Sequence, residues 1–264
     1  MVRYAMITLD TECRNVQVFI DWCVLRGVPY EIHNGKRVEN IEASKPHLTS
    51  YGYYVMNNWR ESPSHFDTTG PVGCFLAHRE AWTHCVRMNE SMWVFEEGVR
   101  SYNTDLFDRV ENDYPGMDLV LGHTVPVLRF WRQRRVNNHR IGSILRTIDK
   151  IYFGTKCYRL SPAFAARLLT NCGRFDVHVD TFLCTEAMYY QDEFKVGRTT
   201  NPMVVASSSG LINHSVDQSL LIVSCLVVST ALAVGLTMLA FRAYRRCRRQ
   251  CPIPSLRRPQ DQKE

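Results

Sequence analysis

No Cys-x-x-Cys pair, no zinc-finger-like Cys/His spacing, no internal repeat and no low-complexity tract occur in the 264 residues. Seven of the ten cysteines (13, 23, 74, 85, 157, 172 and 184) precede residue 219, but their spacing argues against a metal–thiolate site and leaves disulfide pairing open. A basic face is missing as well. Eight of the 32 Lys and Arg and two of the 26 Asp and Glu follow Phe241, which leaves 24 of each sign in residues 1–241. That balance argues against nucleic acid as a partner. The opening MVRYAMITLDTECRN has no apolar h-region and does not read as a signal peptide.

What is there is a chain with 45% hydrophobic residues, enough to bury one sizeable core or two small ones. Residues 220–241, LLIVSCLVVSTALAVGLTMLAF, carry no charge and are followed by RAYRRCRRQC. Such a run has the length to cross about 30 Å of hydrocarbon as a helix, and the arginines after it match the positive-inside pattern. The sequence therefore predicts a single-pass membrane protein of the endoplasmic reticulum, Golgi or surface membrane. Its domain would be residues 1–212, its stalk 213–219, its membrane helix 220–241 and its cytosolic basic tail 242–264. An N-terminal domain on the far side of the membrane then requires either insertion after synthesis or a signal segment upstream. The sequons at Asn89 and Asn213 fit that side. Cys247 and Cys251 read either as palmitoylation sites or as unmodified thiols.

Periodicity along residues 1–212 alternates between strand and helix. YAMITL is a strand, the following TECRNVQVFIDWCVLRGV has helical apolar spacing, and YEIHNG restarts a strand, which together predict a β-α-β unit. Residues 35–70 read as loops with short helices. A helix follows over GPVGCFLAHREAWTHCVRM, with Cys74, Ala77, His78, Ala81, Trp82 and Cys85 on one face. MWVFEE and MDLVLGH are short strands, IYFGTKCYRLSPAFAARLL is a strand and a Ser-Pro-started helix, FDVHVDTFLCTEAMYY is a helix, and NPMVVASSS is a last strand. The class predicted is α/β with a mostly parallel sheet flanked by helices, plus the membrane helix.

In such a sheet, ligands bind at the carboxyl ends of the strands. WVFEE places Glu96 and Glu97 at one of those ends, where a pair of acids either holds a divalent cation or simply starts a solvated loop.

Five blocks in order carry a resemblance to a known family. GCFLAHREAW supplies Gly73, Cys74, His78 and Trp82, and WVFEEGV stands where a hydrophobic strand ending Glu-Asp-Asp is expected. ITLD with Arg14, GTKCYRLSPAFAARLL and VDTFL complete the set. In these blocks the chain resembles glycosyltransferase family 25, the group of lipooligosaccharide and procollagen galactosyltransferases. The resemblance implies a nucleotide-diphospho-sugar transferase fold of the GT-A type and transfer of a hexose, galactose or glucose, from a UDP-sugar to a glycan or protein hydroxyl. It also implies a manganese or magnesium ion held by Glu96 and Glu97. The family's third acid is replaced by Gly98. That departure leaves open a catalytically degenerate fold serving as a membrane glycoprotein or interaction module, and also an enzyme that neutralises the diphosphate with Arg or Lys instead of a metal.

The remaining candidates each carry two readings. Asp180 is a general base or a helix N-cap, and Asp176 could serve equally as the base. His78 is a donor-site residue or a satisfied core histidine. Arg14 contacts the donor or is a plain surface arginine. The basic stretch 129–140 borders an acceptor or anionic partner, or is a solvated loop.

Overall fold

The structure is a computed structural model that describes residues 2–57, 68–126 and 139–206. These belong to a unit spanning Met1–Ser208. The chain opens as expected: β1 (Val2–Thr8), α1 (Arg14–Arg26) and β2 (Tyr30–Asn34), with β1 and β2 parallel. α1 forms because Val16, Phe19 and Cys23 fall on one buried face, and it stops at Gly27, whose φ of 62° closes the helix in the left-handed region. Short helices α2 (Ile41–Ser44) and α3 (Ser50–Asn57) follow, joined by a 3-10 turn at Lys45–His47.

The long helix α4 (Thr69–Met88) leads into β3 (Ser91–Glu96), which lies parallel to β1. Next come β4 (Val99–Tyr102), α5 (Thr104–Asp113), β5 (Leu119–Leu121) and the short strands β6 (Val125–Pro126), β7 (Arg140–Ile141), β8 (Leu145–Arg146) and β9 (Tyr152–Phe153). β10 (Cys157–Leu160) runs into α6 (Pro162–Asn171), where Ser161 accepts a hydrogen bond from the Phe164 N–H and Pro162 opens the first turn. α7 (Val179–Tyr189), β11 (Val196–Thr199) and β12 (Val204–Ala206) complete the described chain.

The main sheet has the order β2-β1-β3-β10-β5-β11-β8-β7. Strand alternation divides its side chains between two cores. Tyr4, Met6, Trp93 and Phe95 pack with Phe19 of α1 and Phe107 of α5, while Ala5, Ile7, Met92 and Val94 join Trp82, Phe164 and Leu183 of α4, α6 and α7. Helices thus cover both faces, which is why β1 and β3 read as near-continuous apolar runs.

Two expectations are corrected. The sheet is mixed rather than mostly parallel, because β10 enters antiparallel between β3 and β5 and the pairs β8–β11 and β7–β8 are antiparallel too. The single-pass membrane protein is not supported either: among the described residues no helix is long and apolar enough to cross a membrane. Residues 213–219, 220–241 and 242–264, which carried the stalk, membrane helix and cytosolic tail, lie outside the described residues. So do residues 127–138, most of the basic stretch.

Candidate functional site

The carboxyl ends of β1, β3 and β5 reach the same edge of the sheet, and antiparallel β10 begins there. This geometry decides what faces Glu96. Because Cys157 pairs with Phe95, the next register position sets Lys156 against Glu96, and the Glu96 N–H donates to the Lys156 carbonyl at 3.2 Å. The side chains meet as well: Lys156 Nζ lies 2.7 Å from Glu96 Oε2, and Thr155 Oγ1 donates to Glu96 Oε1.

His78 approaches the same carboxylate from α4, with Nε2 3.4 Å from Glu96 Oε1. That separation is long for a hydrogen bond. The ring's other nitrogen, Nδ1, lies 2.7 Å from the Tyr158 hydroxyl, to which Trp82 Nε1–H also donates at 2.9 Å. Trp82 has only a proton to give, so the tyrosine oxygen accepts it and its own proton is free for His78 Nδ1. The chain Trp82–Tyr158–His78 turns Nε2 of the ring toward Glu96.

Electrostatics follow from this crowding. Burial opposes ionisation of Glu96, but Lys156 and His78 outweigh it and hold the carboxyl well below the usual range. Lys156 is raised by Glu96 against the cost of its own burial. The Cys74 thiol, four residues before His78, is pushed well up by burial and by the Glu96 charge.

Asp180 sits in the first turn of α7 and is not its N-cap, which is His178. Its oxygens accept from the N–H groups of Gly154 at 3.2 Å and Thr181 at 2.8 Å. Burial raises its pKa, with the Glu96 charge adding to the rise. Gly154 has a φ of 107°, and a Cβ there would stand 2.8 Å from His123 Nδ1. Asp180 thereby anchors a turn that only glycine accommodates.

Of the predicted site residues, then, the structure brings Glu96, His78 and Asp180 into one neighbourhood. Glu97 faces elsewhere: its Oε2 accepts from Thr8 Oγ1 at 2.6 Å and the Leu9 N–H at 2.9 Å, tying the end of β1 to the end of β3. Asp176 accepts from Thr49 Oγ1 at 3.1 Å and packs on Gly52, beside the bridge between Leu48 and Phe175. Arg14 is exposed at the start of α1.

Three residues were missed. Lys156 and Thr155 are 60 and 59 positions from Glu96, and only the antiparallel register of β10 makes them its partners. His123, just beyond β5, is held below the ordinary imidazole value by burial and by Lys156. Its buried Nδ1 has no hydrogen-bond partner among the described residues. The MDLVLGH motif ends on it, a histidine at a strand's carboxyl end, which was the available signal.

The divalent cation that the family resemblance implies can be tested against these donors. Glu96 has both oxygens engaged and a lysine ammonium beside one of them, while Glu97 spends an oxygen on two donors of the β1 loop. A cation there would have to displace Lys156. The residues do not fit a carboxylate-held manganese or magnesium ion.

No family model matches the chain, and no curated protein matches it. Among solved structures, one titled as the crystal structure of A197 from STIV is similar at 12% identity, covering 78% of this chain and 84% of that one with a TM-score of 0.36. A likeness that loose carries neither a fold nor a function across.

Proposed function

We propose that this is a nucleotide-diphospho-sugar transferase-like domain that binds a UDP-hexose without a divalent ion, with Lys156 supplying the positive charge at the diphosphate. The observation behind it is the Glu96–Lys156 pair, 2.7 Å apart at the edge where β1, β3 and β5 end. Lys156 keeps 24% of its side chain exposed, and its ammonium is anchored by the carboxylate. A fixed cation at that edge can stabilise negative charge developing on a departing diphosphate.

In the reaction, the bond from the sugar's anomeric carbon to the diphosphate oxygen breaks with its electron pair leaving on UDP. The acceptor hydroxyl of a glycan or protein forms the new bond and gives its proton to a base. Asp180 has the raised basicity such a base needs, but it keeps only 5% exposure. That burial favours a second reading, in which the fold is kept as a binding module and Asp180 is structural.

Calorimetric titration of the full-length protein with UDP and with UDP-galactose or UDP-glucose, in chelator, separates these readings. Saturable binding lost in Lys156→Gln supports the metal-free transferase-like site. Absence of binding in the parent protein leaves the interaction module.

A further inference from the structure

We propose a second site, away from Lys156, for a zinc-class divalent cation, held by Glu31, His33 and His84. Three donor atoms converge there: Glu31 Oε2 lies 2.7 Å from His84 Nε2 and 3.3 Å from His33 Nε2, and all three are within 4.8 Å of one another. Ligand atoms about 2.0–2.1 Å from a tetrahedral zinc stand about 3.4 Å apart. The Glu31–His33 approach is already near that spacing, the Glu31–His84 approach has to open by less than an ångström, and the His33–His84 edge is no longer than 4.8 Å.

The placement is built by the fold. Glu31 and His33 are two residues apart on the edge strand β2 and so share the face turned toward α4, which supplies His84. Side-chain exposures of 24%, 13% and 15% leave the donors shielded yet open enough for a water to take a fourth position. Arg3 Nη1 holds Glu31 Oε1 at 3.1 Å, which turns Oε2 to the two rings. The arginine charge is shared with Glu90, 2.5 Å from its Nε. Two imidazoles and one carboxylate suit zinc and its neighbours rather than calcium or magnesium.

One contact opposes loading. Arg87 Nη2 lies 2.7 Å from His84 Nδ1, and a guanidinium only donates, so in the metal-free protein His84 carries its proton on Nε2. Metal at Nε2 requires the proton on Nδ1 and the exposed Arg87 side chain swung away.

The test is competition of the chelator-stripped full-length protein with a chromophoric zinc indicator, alongside the visible spectrum with cobalt. The expected result is one tight zinc equivalent with a tetrahedral cobalt spectrum, both weakened at least tenfold in His33→Gln and in His84→Gln. Absence of tight zinc in the parent, or full affinity in either histidine variant, overturns the proposal. Replacing the exposed Arg87 should not disturb folding, so Arg87→Ala is an independent arm: it should tighten zinc several-fold, and weaker or unchanged binding counts against the site.

Discussion

Removing the Lys156 ammonium while keeping a polar side chain one bond shorter, as in Lys156→Gln, strands the Glu96 charge. At 2.7 Å a unit pair in a medium of effective dielectric about 20 attracts by about 6 kcal/mol before desolvation is charged against it. Breaking a fully buried pair from one side costs about 3–5 kcal/mol. Here the two side chains keep 24% and 18% of their exposure, and Thr155 and His78 still face the carboxylate, so the cost should fall to about 2–3 kcal/mol. For a unit of about 200 residues that corresponds to a melting point lower by about 4–12 °C. The assay is urea and thermal unfolding of four proteins: parent, Lys156→Gln, Glu96→Gln and the double variant. Glu96→Gln added to Lys156→Gln should recover part of the loss, because it removes the charge left without its partner. A cost below about 0.5 kcal/mol for Lys156→Gln, or a double variant no more stable than the single, would refute the claim that this pair organises the strand edge.

Other consequences follow from the same geometry. Tyr158→Phe deprives both Trp82 Nε1 and His78 Nδ1 of their partner and should cost about 2–5 kcal/mol by denaturant unfolding, whereas Trp82→Phe should cost less through its polar contact alone. Gly73→Ala puts a Cβ 2.1 Å from the Lys36 carbonyl oxygen, so it should destabilise by about 3 kcal/mol or more; a neutral effect would mean that α4 does not pack there as described. The pH profile has a defined sign. Glu96 is depressed in the folded state, so its contribution is full above the ordinary carboxylate value of 4.5 and is lost as pH falls below it. Lys156 is raised, so its contribution is full below the ordinary 10.5 and is lost as pH climbs beyond it. Chemical denaturation from pH 3 to 11 should accordingly lose its acid-side decline in part in Glu96→Gln.

The opening β-α-β unit, α4, β3 and the β10–α6 block were legible because each has a long apolar period or a clear stop, such as Gly27 or Ser161-Pro162. α5 was not. It spans ten residues dominated by charge, with Leu106, Phe107 and Val110 as its buried positions, and its start is marked by a bond from the Leu106 N–H to the Asn103 side chain. β11, Val-Gly-Arg-Thr, is too short and too glycine-broken to read as a strand, yet it pairs with β5 and β8. The mixed character of the sheet could not be read locally, since the direction of β10 depends on where the chain returns and not on its own residues. The same limit governs the site. Glu96, His78 and Asp180 could be picked out as chemistry-bearing side chains, but their partners lie dozens of residues away. Glu97, adjacent to Glu96, turns to the opposite task because strand alternation and the β1 loop take it to Thr8 and Leu9.

Whether Lys156 takes the role a metal would have at the strand edge is decided by thermal unfolding of the full-length protein with UDP. Ligand at about 100 times its dissociation constant stabilises by about 2.7 kcal/mol, a rise of about 5–10 °C for a unit of this size. That rise is expected with UDP in chelator, with no further gain on adding manganese and no rise in Lys156→Gln. A rise that appears only with manganese, or none under either condition, would contradict that role for Lys156.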